Sequence, residues 1–153
     1  MTMKQNIIRG KRILLVDDEP CVRGAFCMML KFDGHSVTVA NDGAEALDLF
    51  TKGKFDLVVT DFEMPVMKGN ELAVRIKQLA PTQPILMLTA YEKVLGDSEN
   101  PVDSILNKPF TLDNLREAIA ELLPNHQIPP TPSPPDRLGN WAPVHTEVDR
   151  PCN

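Results

Sequence analysis

Between Lys11 and Leu123, short apolar runs alternate with stretches whose apolar residues recur at helical spacing. Ile13-Leu14-Leu15-Val16 is a continuous apolar run ending at Asp17-Asp18. Leu57-Val58-Val59-Thr60 ends at Asp61, and Ile85-Leu86-Met87-Leu88 ends at Thr89. Unbroken runs of this length predict strands buried on both faces. Ser36 to Ala40, with Val37 and Val39, and Ser104-Ile105-Leu106-Asn107, ending at Lys108-Pro109, predict two more strands. Helical patterns lie between them. Val22, Phe26, Met29 and Leu30 share a face after Pro20, and Asp33-Gly34 closes that helix. Ala46, Leu47 and Phe50 follow a cap at Asn41 or Asp42 and stop at Gly53. Leu72, Ile76 and Leu79 follow Gly69. Leu112, Leu115, Ile119 and Leu122 begin at Thr111 or Asp113 and stop at Pro124. Between Thr89 and Ser104, Gly96, Asn100 and Pro101 leave room only for a short helix, Tyr91 to Ser98. Five strand–helix units in alternation predict an α/β fold, a parallel sheet with helices on both faces.

Composition changes the boundaries of this picture. Of 14 prolines, six fall in residues 1–123 and eight in residues 124–153. The chain therefore divides into an N-terminal arm (1–10), a domain (11–123) and a proline-rich tail (124–153), expected to be largely disordered. The segment Pro129 to Pro135 contains PxxP spacings and favours polyproline II, as a linker or bare end before a groove ligand. Trp141, the only tryptophan, lies in this tail. Cys21, Cys27 and Cys152 are too few and too irregular for a disulfide framework.

Charge and hydropathy exclude several function classes. Twenty-one acidic against 16 basic residues give a formal net charge of −5, against a nucleic-acid binder. No apolar stretch reaches membrane-span length, and Met1 to Arg12 lacks the apolar core of a signal peptide. A cytoplasmic protein with no membrane contact is expected.

The chemistry is concentrated at the strand ends. Asp17, Asp18, Asp61, Thr89 and Lys108 all follow or end strands, and ligands of open parallel sheets bind at the C-terminal strand edge. Singly, each has a bland reading as a solvated cap, turn or surface residue. Together they would place three carboxylates side by side, and a divalent cation would remove their repulsion. Oxygen ligands in an incomplete set favour Mg2+. A carboxylate beside Mg2+ can attack phosphorus, with Lys108 and Thr89 stabilising the phosphoryl oxygens. Asp61, alone at its strand end, is the better nucleophile, and Asp17-Asp18 the ligand pair.

The sequence Val16-Asp17-Asp18-Glu19-Pro20, Thr60-Asp61-Phe62-Glu63-Met64-Pro65, Leu88-Thr89-Ala90 and Lys108-Pro109-Phe110 resembles the receiver domain of bacterial response regulators. The resemblance spans residues 11–123. It implies a doubly wound, flavodoxin-like sheet in the order 2-1-3-4-5. It implies a single-domain response regulator of a two-component system, with Asp61 phosphorylated by a sensor histidine kinase or histidine phosphotransfer protein. Mg2+ would be held by Asp18, by Asp17 chiefly through water, by Asp61 and by the Glu63 backbone carbonyl. Lys108 would bind the phosphate beside a cis bond to Pro109, and Thr89, followed by Ala90, would report phosphorylation. Signalling would pass by contact with a downstream protein or by phosphorelay. A homodimer through the face of the fourth helix, fifth strand and fifth helix (the 4-5-5 face) is also implied.

Three positions depart from the family pattern or tune it. Ile105 stands where many receivers carry an aromatic switch residue, three before the lysine, and Tyr91 is the aromatic that could cover the site instead. With Gly96, Asn100 and Pro101 nearby, an altered output face is expected over residues 92–103. Glu63 would orient or repel the water that hydrolyses phospho-Asp61. Two other functions use parts of the same pattern. A pseudo-receiver would bind partners without phosphorylation. A Mg2+-dependent phosphohydrolase with an Asp nucleophile would usually carry a second Asp at position 63 and a cap insertion.

Overall fold

A computed structural model describes residues 7–90 and 101–123. Five strands, β1 (Arg12–Val16), β2 (Ser36–Ala40), β3 (Leu57–Asp61), β4 (Ile85–Thr89) and β5 (Ser104–Asn107), form one sheet in the order β2-β1-β3-β4-β5. Every pairing is parallel. Four described helices are α1 (Pro20–Phe32), α2 (Gly43–Lys52), α3 (Gly69–Leu79) and α4 (Leu112–Leu122). The short helix expected at Tyr91 to Ser98, most of the expected output-face segment, the first six residues of the arm and the tail lie outside the described residues.

Strand alternation divides the core into two layers. Ile13, Leu15, Leu57, Val59, Leu86 and Leu88 face one way, onto Cys27 and Leu30 of α1 and Leu115 and Ile119 of α4. Leu14, Val16, Val58 and Ile85 face the other way, onto Ala46 of α2 and Leu72, Ala73 and Ile76 of α3. Successive strand side chains point to opposite faces, and both faces are covered. That is why these strands carry no polar alternation. Burial of each large aliphatic side chain contributes about 1.5–3 kcal/mol. Edge strand β5 is only half-buried.

Local chemistry sets the helix ends. α1 starts on Pro20, with its fixed φ, and has no side-chain cap. Gly34, at φ +80°, turns the chain out of α1 toward β2. The Asp42 carboxylate accepts from the Glu45 backbone N–H at 2.8 Å and starts α2. Thr111 and Asn114 form a reciprocal capping box at the start of α4.

Candidate functional site at the C-terminal sheet edge

β1, β3 and β4 are adjacent, and all end at the same edge. The chain continues from β1 into β2 on one side and later into β3 on the other. The reversal in strand order opens a crevice above β1 and β3, where ligands of such sheets bind. Asp17 follows β1 directly, Asp61 is the last residue of β3, Thr89 the last of β4, and Lys108 follows β5. Residues up to 91 positions apart are thus brought to one edge by strand register alone.

The carboxylates of Asp17, Asp18 and Asp61 each present a ligand atom within 4.8 Å of the others. Asp17 and Asp61 are buried, and Asp18 is exposed. Desolvation by burial raises the pKa of Asp61, opposed by the hydrogen bond and charge of Lys108. Burial also raises that of Asp17, and the Asp61 and Asp18 charges push in the same direction. One oxygen of Asp17, Oδ1, accepts from the Glu19 backbone N–H at 3.0 Å. The other, Oδ2, is buried with no hydrogen-bond partner among the described residues. Such an orphaned buried acceptor is costly unless a cation or water meets it. Three crowded carboxylates, one with an unmet buried oxygen, fit a hard divalent cation such as Mg2+.

Opposite them, among the described residues, stands the Lys108 ammonium. Lys108 Nζ lies 2.9 Å from Asp61 Oδ1. The Lys108 backbone N–H donates to the Thr89 carbonyl at 2.8 Å, and the Lys108–Pro109 bond is cis. Thr89 is buried at the end of β4, and Ala90 beside it is exposed. Ile105 pairs with Met87 across β4 and β5 and is half-buried. Glu63 is exposed two residues past Asp61. Tyr91 lies outside the described residues.

Three further groups shape the site, and spacing alone did not point to them. Arg23, one turn into α1, donates to the Asp17 backbone carbonyl at 2.9 Å and holds the acidic turn. Its only sequence signal is a basic residue five positions after an acidic pair. Gly69 begins α3 with its backbone N–H donating to the Phe62 carbonyl at 3.0 Å. A Cβ at Gly69 would collide with the Asp61 carbonyl oxygen and sit 3.0 Å from Phe62 Cα. Val66, almost fully exposed, adopts φ +71° while Met67 N–H donates to the Pro65 carbonyl at 2.8 Å. This is a tight three-residue turn with a β-branched residue at its centre, a rare conformation.

A family model for the response regulator receiver domain matches residues 13–120, all of the sheet except Arg12 and most of the helices around it. The chain belongs to the response regulator receiver family. Among relatives, it is 39% identical over 115 residues to the response regulator MprA of Mycobacterium sp. (strain KMS), covering 73% of this chain and 50% of that protein. It is 40% identical over 111 residues to the sensor histidine kinase RcsC of Salmonella typhi, covering 71% of this chain and 12% of that one. The matching region therefore spans about half the length of the MprA relatives. The receiver fold also aligns with the response regulator TrrA of Thermotoga maritima, solved in complex with Mg2+ and BeF. The TM-score is 0.70 at 38% identity, covering 74% of this chain and 99% of TrrA. A second solved structure holds TrrA in complex with the histidine kinase ThkA, with a TM-score of 0.68 and the same identity. Both expectations of fold and family are met by the receiver architecture. Among the described residues, no helix is long and apolar enough to cross a membrane.

Proposed function

We propose that this receiver accepts a phosphoryl group on Asp61 from a histidine kinase or histidine phosphotransfer protein and passes the signal on by protein contact or phosphorelay. The observation that carries this reading is the position of the Asp61 carboxylate, between the acidic pair Asp17-Asp18 and the Lys108 ammonium. The solved relatives support it, one in complex with Mg2+ and BeF and one with a histidine kinase.

Asp17, Asp18, Asp61 and the Glu63 backbone carbonyl would hold Mg2+, which supplies charge neutralisation for the incoming phosphoryl oxygens. An Asp61 carboxylate oxygen attacks phosphorus. The new O–P bond forms as the P–N bond to the donor imidazole breaks, and the imidazole leaves with the electron pair. Lys108 moves from the carboxylate to a phosphoryl oxygen, and the Thr89 hydroxyl, with the Ala90 backbone beside it, meets another. Glu63, two residues past Asp61, would tune the rate of water attack on phospho-Asp61 by orienting or repelling the water. Ile105 lacks the ring and hydroxyl of the usual switch residue, so Thr89 reports phosphorylation without that partner, and Tyr91 is the aromatic available to cover the site. In this reading residues 11–123 are the receiver unit, flanked by the 1–10 arm and the proline-rich 124–153 segment. It works in the cytoplasm, with the face that carries β5 and α4 as its self-association surface.

Acetyl phosphate with Mg2+ tests the reading. Mass spectrometry is expected to show one phosphoryl adduct in the parent and none in Asp61→Asn or in the presence of a chelator. A parent that takes up no phosphoryl group would instead be a binding module. Rapid turnover of many phosphate esters would mark a hydrolase.

A further inference from the structure

Lys108 has an aromatic neighbour that neither its charge nor the acidic cluster accounts for. Its Nζ lies 5.8 Å from the centroid of the Phe26 ring, over the ring face, while 2.9 Å from Asp61 Oδ1. Phe26 projects from the middle of α1 and is half-buried in the layer shared by α1 and α4. Its ring stacks on Phe110 at 5.0 Å between centroids, with 24° between the planes. Phe110 follows Pro109 in the turn that carries Lys108 into α4. The aromatic pair therefore ties α1, which begins beside the acidic turn, to the turn that presents the lysine.

A lysine ammonium on a four-carbon stem has many rotamers, and reaching one carboxylate requires most of them to be lost. A ring face within about 6 Å attracts the ammonium through its quadrupole and is itself held here by a second ring. The Lys108 side chain is only one-quarter exposed, so the attraction acts away from bulk water. The contact restricts the ammonium to the rim above Asp61 without competing for its hydrogen bonds.

We propose that Phe26 is a positioning residue for Lys108, holding its ammonium over Asp61 through the ring face and through Phe110. This rests on the role assigned to Lys108 above. It also gives the chain an aromatic contact to the switch lysine from α1, on a receiver whose β5 carries Ile105 instead of a ring.

The test compares the parent, Phe26→Leu, Phe26→Tyr, Lys108→Met and the Phe26→Leu/Lys108→Met double variant. Leucine keeps most of the packing and removes the ring; tyrosine keeps the ring. Phe26→Leu is expected to slow acetyl phosphate labelling of Asp61 about two- to fivefold, the range of a partly shielded cation–ring contact. Phe26→Tyr is expected to restore the rate. In the Lys108→Met background, the Phe26 substitution is expected to have no further effect, since the group it positions is gone. An equal slowing in both backgrounds would reduce Phe26 to a packing residue and overturn the inference. A second readout needs no phosphoryl chemistry. The Lys108 side-chain protons are expected to carry an upfield ring-current shift in the parent and Phe26→Tyr that disappears in Phe26→Leu. Its absence in the parent overturns the inference. A parent that keeps the ring-current shift but takes up no phosphoryl group overturns the reading of the site, and the inference about Lys108 stands.

Discussion

At the residue scale, the site depends on one position with no chemistry of its own. Gly69 has no side chain, and that is its use. Its backbone passes against the Asp61 carbonyl, where a Cβ would meet backbone atoms that have no rotamer to change. Gly69→Ala must therefore displace either the start of α3 or the end of β3. Overpacking of this kind costs about 1–3 kcal/mol. Urea unfolding is expected to register that loss, and the phosphorylation rate at Asp61 is expected to fall with it, because β3 carries the proposed nucleophile. An alanine variant with parental stability and rate would mean that α3 can draw back from Asp61 at no cost. Glycine at position 24, whose Cβ would meet nothing within 4 Å, gives the contrast: Gly24→Ala in α1 is expected to be neutral or mildly stabilising.

At the element scale, the edge strand β2 hangs on a buried histidine. His35 is almost fully buried just before β2, and its Nδ1 accepts the Lys11 backbone N–H at 3.1 Å. The next hydrogen bond along, from Ser36 N–H to the Lys11 carbonyl at 2.9 Å, starts the pairing of β1 with β2. Burial lowers the His35 pKa first of all. The Asp33 carboxylate opposes this, and Lys11 and Arg9 reinforce it. Asp33 is itself engaged by Arg116 of α4 through two hydrogen bonds, at 2.8 and 2.7 Å. The sign follows. A histidine whose folded pKa lies below its unfolded value of about 6.5 favours the folded state while neutral. That contribution is complete above pH 6.5 and is lost as pH falls from there through the depressed folded pKa. The slope can reach no more than about 1.4 kcal/mol per pH unit for one proton. Denaturant midpoints measured from pH 7.5 to 5 are expected to fall in the parent and to change less in His35→Asn, whose side-chain oxygen can accept the same N–H at any pH. Equal slopes would place the loss elsewhere.

Elements of this kind also show how far the sequence was legible. β1, β3 and β4 stand out because burial on both faces leaves no polar position to break the run. The polar residues that end these strands stand out for the converse reason, so Asp17, Asp61 and Thr89 were readable as one edge. Contacts made across the fold were not. Arg116 and Asp33 are 83 positions apart, and Phe26 and Phe110 meet only because α1 and α4 share a layer. Each of these residues has an ordinary helical or loop explanation in its own segment. The same holds for Gly69, which reads as a turn glycine until the path of β3 is known.

At the scale of the whole molecule, the receiver places its worst electrostatics where its chemistry lies. Asp17, Asp18 and Asp61 crowd one edge, and Asp17 keeps a buried oxygen with no partner among the described residues. Lys108 pairs directly with Asp61 and reaches Asp17 only through its charge, which does not outweigh the burial of that carboxylate. The arrangement is a liability in the metal-free protein, and under the proposed function it is what fits the cluster to hold Mg2+. Removing one charge should therefore have opposite consequences in the two conditions. Without divalent ions, Asp17→Asn relieves like-charge repulsion and the desolvation of a buried carboxylate, and is expected to unfold at the same temperature as the parent or higher. With Mg2+, the parent gains RT ln(1 + [Mg2+]/Kd), about 2.7 kcal/mol at a hundredfold excess over Kd, and overtakes the variant, whose affinity is weakened. Thermal unfolding of both proteins in chelator and across a Mg2+ titration is expected to give crossing curves. Ca2+ is not equivalent to Mg2+ in size or ligand number, and a parallel titration would show whether the cluster discriminates between them. If Asp17→Asn is less stable than the parent in chelator and gains the same increment from Mg2+, Asp17 is a structural carboxylate whose Glu19 contact matters more than its charge, and the cation site must be built from Asp18, Asp61 and the Glu63 carbonyl without it.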